Sequence, residues 1–145
     1  MIFSKSFGYA IRGVLYVASK PEGSVVQLEE IASALDAPRH FMGKIMKRVV
    51  QQDILLSQKG PTGGFKLNTT TLKRPLIDVY MVTDHLEDLH RCVLSKQPCS
   101  SENPCGLHDL ILPSKTPLFK ILYDTTVGEL LVKTDNFKLP EALMA

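Results

Sequence analysis

No stretch of this 145-residue chain approaches the run of about 18 consecutive apolar residues that reads as a membrane-spanning helix. The N-terminus also lacks a basic start followed by a long apolar run and a small-residue cleavage site, so the expectation is a soluble, cytoplasmic protein with no membrane partner. Cysteine is scarce: there are three, an odd number, and all fall between residues 92 and 105. In a compartment that keeps thiols reduced, this argues against a disulfide framework and for a metal or redox site. Acidic residues nearly vanish from 37 to 66, where Asp53 stands alone against six Lys and Arg. What remains is 44% hydrophobic, enough for one compact domain or one small domain with an appendage.

The net charge of +2 hides an asymmetry, because residues 1 to 74 carry +6 and residues 75 to 145 carry −4. A basic half and an acidic half call for different partners.

In the basic half, KSFGYAIRGVLYVAS (5 to 19) places Phe7, Ala10, Ile11, Val14, Leu15 and Ala18 at helical spacing, and Pro21 with Gly23 closes the segment. LEEIASAL (28 to 35) repeats the pattern with Leu28, Ile31, Ala32 and Leu35 inward. Asp36 and Ala37 make a short break, and Pro38 suits the first position of a new helix, where a missing N–H costs nothing. That helix, PRHFMGKIMKRVVQ, shows Phe41, Ile45 and Val49 on one face and Arg39, His40, Lys44 and Lys47 on the other. Two helices joined by a tight turn, the second basic on its exposed side, form the arrangement in which the second helix enters the DNA major groove. Gly43 is the odd residue, since glycine inside a helix costs roughly 1 kcal/mol relative to alanine. It serves either local packing or a closer approach to base edges.

ILLSQKGPTGGFKLN (54 to 68) follows. Residues 55–58 and 65–67 pair as short strands, and GPTGG between them is rich in residues that tolerate positive φ. The expectation is a β-hairpin wing, with Lys59 at its base and Lys66 on its return strand meeting phosphates, while Gly60, Thr62 and Gly63 let the backbone approach DNA. A phosphate-binding P-loop is excluded because that loop leads from a strand into a helix, whereas this one leads from strand to strand.

The run PRHFMGKIMKRVVQQDILLSQKGPTGGFKL, together with FGYA (7 to 10), LIDVY (76 to 80), the cysteine triplet and the stretch from Cys105 to Leu130, resembles the Rrf2 family of bacterial winged-helix transcriptional regulators, IscR- and NsrR-like. The resemblance covers nearly the whole chain. It implies a mainly α (α+β) fold, with a winged helix-turn-helix DNA-binding domain over residues 1 to 70. Residues 71 to 145 would hold the cysteine loop (92 to 105) and a helical dimerisation region. The same resemblance implies a homodimeric repressor or activator of double-stranded operator DNA, with Arg39, His40, Gly43 and Lys44 where the family reads bases and the wing where it meets the minor groove or adjacent phosphates.

CVLSKQPCSSENPCGLH (92 to 108) then reads as a sensor. Three thiolates on a Pro-containing loop can hold three corners of an iron-sulfur cluster, because thiolate is the soft ligand such clusters select. His108, three residues after Cys105, is the candidate fourth ligand, and a histidine at that spacing agrees with the resemblance. The aspartate used by the nitric-oxide-sensing branch is replaced here by Gly8, which has no ligating side chain. Cys92, Cys99, Cys105 and His108 favour a 2Fe-2S centre over a 4Fe-4S one. Zinc fits less well, since structural zinc sites usually hold ligands as closely spaced pairs and the intervals here are six and five residues. The alternative is a regulator of the same fold without a cluster, controlled by thiol oxidation, a small molecule or a partner protein. An enzyme is not expected, as no oxyanion-stabilising loop or orienting acid accompanies Cys105 and His108.

Pro113 and Pro117 interrupt the dimer segment where the resemblance implies one long helix. The expectation is a short helix over 106–112, a kink, and a second helix capped by Thr116 with Pro117 at its first position. Leu118, Ile121 and Leu122 would face the partner, and residues 133 to 145 would form a loosely attached tail.

Overall fold

Local rules choose the elements. In the computed structural model, which describes residues 3–134, Ser4 caps the first helix: its side chain accepts a hydrogen bond from the Phe7 N–H at 3.0 Å and donates to Asp84 at 2.6 Å. Helix α1 (Lys5–Ala18) buries Phe7, Ala10, Val14, Leu15 and Ala18 as the spacing predicts, with Ile11 only partly covered. Helix α2 (Leu28–Ala34) and helix α3 (Arg39–Gln51) are joined through Asp36 at φ 48°. Pro38 precedes α3 rather than opening it, its extended ψ of 128° making it the capping residue. The buried stripe of α3 is Met42, Ile45, Met46 and Val49; Phe41 instead lies edge-on against Tyr9, ring centroids 5.3 Å apart.

Strands β1 (Leu55–Gln58) and β2 (Gly64–Leu67) pair antiparallel, Leu55 opposite Leu67 and Gln58 opposite Gly64. Val26 bridges to the other edge of β2 by exchanging two 2.8 Å backbone bonds with Phe65, which ties the wing to the chain entering α2. A 3-10 turn (Thr71–Lys73) leads to α4 (Leu76–Thr83) and α5 (Leu86–His90). After the cysteine loop come α6 (His108–Asp124) and α7 (Val127–Lys133). The α7 start carries a capping box: Thr126 accepts from the Glu129 N–H, and the Glu129 carboxylate accepts from the Thr126 N–H at 2.8 Å.

One hydrophobic cluster runs from Phe7 through Met42, Ile54 and Tyr80 to Val127, so α4 and the start of α7 share a core with the first three helices. Arg74 fastens the join, donating to the Gln52 carbonyl at 2.6 Å and pairing with Asp78 at 3.1 Å.

Helix α6 corrects the proline expectation, because it continues through both Pro113 and Pro117 without a second start. The prolines are four residues apart, and Asp109, Pro113 and Pro117 are all exposed residues, so water can reach this stretch and bond to the carbonyls of Asp109 and Pro113 that lose their donors. Thr116 is no cap; its hydroxyl donates within the helix to the Leu112 carbonyl at 3.1 Å. Leu122 does not face outward either. It is buried in the chain's own core, while Ile121 is 54% exposed. The expected tail beyond residue 134 lies outside the described residues.

Candidate DNA interface and cysteine site

The basic side chains assigned to DNA sit on two adjoining surfaces. Arg39, His40, Lys44 and Lys47 are all exposed on α3, joined by Arg48, which the sequence reading passed over. Arg39 is not loose: its Nε donates to the Glu29 carboxylate of α2 at 2.6 Å, and the guanidinium holds the Glu29 carboxyl below its usual range. Gly43 faces α2, not open solvent. A Cβ there would stand 3.2 Å from Leu28 Cδ2, which gives its missing side chain a packing role.

Lys59, Gly60 and Thr62 are exposed at the tip of the hairpin, with Gly63 and Lys66 half-buried on the return. The tip is a tight turn closed by the Gly63 N–H on the Gly60 carbonyl at 2.9 Å. Gly60 holds φ 104°, and a Cβ on Gly63 would run into backbone oxygens of Gln58 and Gly60. Side chains are excluded at both positions, so the wing presents backbone and flanking lysines.

All three cysteines and His108 line a single open pocket of about 600 Å³. The loop is folded back on itself by the Cys92 N–H on the Gln97 carbonyl at 3.2 Å and the Cys99 N–H on the His90 carbonyl at 2.7 Å. Cys92 is buried, Cys99 and Cys105 partly so, and none is in a disulfide. The thiol of Cys92 is held below its usual pKa, first by the Leu94 backbone and then by the adjacent Cys105 thiol. His108 is the first residue of α6 and only 5% exposed. Its Nδ1 is 3.2 Å from Cys99 Sγ and its Nε2 is 3.3 Å from the Ser101 hydroxyl.

Cys105 lies before α6, so it meets His108 through a turn, the His108 N–H on the Cys105 carbonyl at 3.0 Å, and not along one helical face. His85 and His90, the other nearby histidines, flank the exposed ends of α5. Among the described residues no three His, Cys, Asp or Glu side chains stand where a single metal ion could be held. The donor set still suits an iron-sulfur cluster: three free thiols and an imidazole share one pocket. The 3.2 Å contact of His108 with Cys99 is a hydrogen-bond separation, and that bond must open for both to ligate.

The family model described as Rrf2, iron-dependent transcriptional regulator, matches residues 3–133. The chain belongs to the Rrf2 family. Its relatives include an Aquifex aeolicus (strain VF5) protein provisionally named an HTH-type transcriptional regulator, 30% identical over 90% of this chain and 92% of the relative. Among solved structures, CymR (YrzC), the global cysteine regulator of B. subtilis, superposes with a TM-score of 0.73 at 19% identity, covering 92% of this chain and 98% of CymR. T. potens IscR gives 0.68 at 15% identity, covering 97% and 93%. At such identities the two structures bear on the fold, and they share with this Rrf2 chain its mainly helical winged-helix architecture. Rrf2 proteins are transcriptional regulators, which accords with the helix-turn-helix and wing described here. Among the described residues no helix is long and apolar enough to cross a membrane.

Proposed function

We propose that this Rrf2 regulator binds operator DNA as a homodimer and carries an iron-sulfur cluster on Cys92, Cys99, Cys105 and His108, so that cluster status, and with it redox or nitric oxide status, sets its DNA affinity. The observation that carries this reading is the gathering of the chain's three cysteines and a nearly buried histidine around one pocket. Bound there, the cluster would supply a centre sensitive to oxidants and nitric oxide, and the chain's own residues supply the ligands and the fold that responds. Residues 1 to 70 act as the DNA-binding head. Arg39, His40, Lys44 and Lys47 enter the major groove, Gly43 letting α3 pack closely on α2 behind them, and Lys59, Gly60, Thr62, Gly63 and Lys66 meet the flanking backbone.

Residues 71 to 145 act as the sensing and dimerisation region. Exposed apolar side chains on one side of α6, Leu110 at 70% and Ile121 at 54%, supply a surface suited to a second copy. The α6 helix starts at His108 and runs to that surface, so freeing or fixing His108 bears on the spacing of two recognition helices, which must match half-sites about 34 to 36 Å apart. By linkage, DNA then changes cluster affinity by the same factor that the cluster changes DNA affinity.

A second reading, the same fold without a cluster and under thiol or ligand control, is favoured by the His108 imidazole, whose two nitrogens already face Cys99 and Ser101. The visible absorption spectrum of anaerobically purified protein, with iron and sulfide assays, decides between them. A coloured protein with iron and sulfide in equal amounts supports the cluster. A colourless, iron-free protein after reconstitution leaves the thiol reading.

A further inference from the structure

Arg39 opens α3, and its guanidinium is engaged before any DNA arrives. The partner, Glu29, is the second residue of α2, on the neighbouring helix of the same motif. Contact is through Nε at 2.6 Å, and the two side chains remain 65% and 59% exposed. Three consequences follow from this geometry.

A carboxylate at Nε cancels most of the charge that Arg39 would offer to a phosphate, and phosphate attraction is what makes binding to random sequence strong. The two terminal nitrogens, Nη1 and Nη2, keep their outward N–H groups. A planar guanidinium held at one edge is pre-organised to donate a paired contact to O6 and N7 of a guanine. Finally, an ion pair this exposed is worth up to about 1 kcal/mol, so it biases Arg39 against a phosphate by a few-fold, while a guanine bonded to the Nη edge leaves the pair in place.

We propose that Glu29 is a specificity-determining residue: it withholds Arg39 from phosphates on random-sequence DNA and presents the free edge of the guanidinium for a guanine contact. This rests on the reading of α3 as the helix that enters the groove. Glu29 differs in this from its neighbour Glu30, whose partners are Lys20 at 2.9 Å and the Tyr16 hydroxyl, away from α3. The acid beside the recognition helix is thus committed to one arginine, and its removal should act through that arginine.

The test uses the full chain and a random-sequence DNA duplex, with affinity measured across a salt series for wild type, Glu29→Gln, Arg39→Ala and the double variant. Exposed pairs are worth up to about 1 kcal/mol, so Glu29→Gln should tighten random-DNA binding about three- to fivefold, with a salt slope steeper by about one counterion. Arg39→Ala alone should change random-DNA binding less than about twofold, because that arginine is already withheld. In the double variant the gain should vanish, which is the signature of coupling between the two residues. On a site selected from a random library with the wild-type chain, Glu29→Gln should lower the ratio of selected to random affinity. A gain that survives without Arg39 would show only the loss of a negative charge near DNA and overturn the proposal, as would no gain at all. If the wild-type chain shows no salt-dependent binding to any duplex, the groove-entering reading of α3 itself fails, and the proposal with it.

Discussion

The sulfur of Cys99 and Nδ1 of His108 lie 3.2 Å apart, across a nine-residue stretch of loop. Neither residue is held there by a regular element alone: Cys99 is pinned through its N–H to His90, and His108 by its place at the start of α6. The pair therefore reports on the whole loop, and its disruption should be read in the loop's chemistry before it is read in DNA binding. With a cluster bound, His108→Ala should leave three thiolates holding a more labile centre, with a shifted visible spectrum and faster loss in air, while circular dichroism is unchanged. His108→Cys should restore a four-ligand centre. An unchanged spectrum and lifetime in His108→Ala would reduce His108 to a packing residue beside Ser101.

The wing and the recognition helix should separate in their DNA phenotypes. If Lys59 and Lys66 meet phosphates as proposed, Lys59→Ala and Lys66→Ala should each weaken binding on every sequence and lower the salt slope by about one. Arg39→Ala should instead erode the preference for operator over random DNA. Equal losses on both DNAs for Arg39→Ala would move the base-reading face elsewhere on α3.

The capping box at α7 offers a stability measurement independent of function. Thr126→Ala removes the acceptor for the Glu129 N–H and should cost about 1 kcal/mol in denaturant unfolding. Glu129→Ala should cost less, since it deprives only the Thr126 backbone N–H and hydroxyl, both of which can turn to water. The reverse order would mean that the carboxylate's charge at the helix start outweighs the hydroxyl.

The motif that names the fold was legible because it is written in local rules. Apolar spacing marks α1, α2 and α3, and Gly60 to Gly64 mark the wing. The T-x-x-E signal at Thr126 to Glu129 was equally local and was passed over. What the sequence could not show depends on partners distant along the chain or on which way a residue faces. Val26 joins the wing from 39 residues before Phe65, and Glu29 reaches Arg39 across a turn between helices. Gly43 looked free to serve DNA until Leu28 was found opposite it. The proline rule misled at α6 because its cost is largest where the orphaned carbonyls are denied a partner, and here they belong to the exposed residues Asp109 and Pro113. Cys92, Cys99, Cys105 and His108 line one pocket, but the helix expected from residue 106 begins only at His108, and a turn joins that residue to Cys105.

Pro113 and Pro117 should each still cost stability even in a helix that tolerates them. Pro113→Ala restores an N–H that can bond to the Asp109 carbonyl, and Pro117→Ala does the same for Pro113. Proline is disfavoured by about 3 kcal/mol inside a helix, of which hydration at these exposed sites returns a part, so each variant should gain about 1 to 2 kcal/mol in urea unfolding. A loss in either would show that the helix needs the proline's shape against a neighbouring surface.

Two glycines of α1 should respond to alanine with opposite signs. Gly8 has open space around it, the nearest atom to an added Cβ being an Arg12 terminal nitrogen at 4.0 Å. Gly8→Ala should therefore collect the helix-propensity gain of up to about 1 kcal/mol with nothing to displace. At Gly13, the same Cβ would stand 2.8 Å from Met46 Sδ and 3.4 Å from Met42 Cε, in the buried seam where α3 crosses α1. Overpacking of that kind costs about 1 to 3 kcal/mol, against the same propensity gain. Methionine can yield, which sets the outcome toward the low end, yet Met42 and Met46 are both fully buried and have little room to move. Gly13→Ala should thus lower the unfolding free energy while Gly8→Ala raises it, and equal shifts of one sign in urea melts would show that the α1–α3 seam is looser than its geometry indicates.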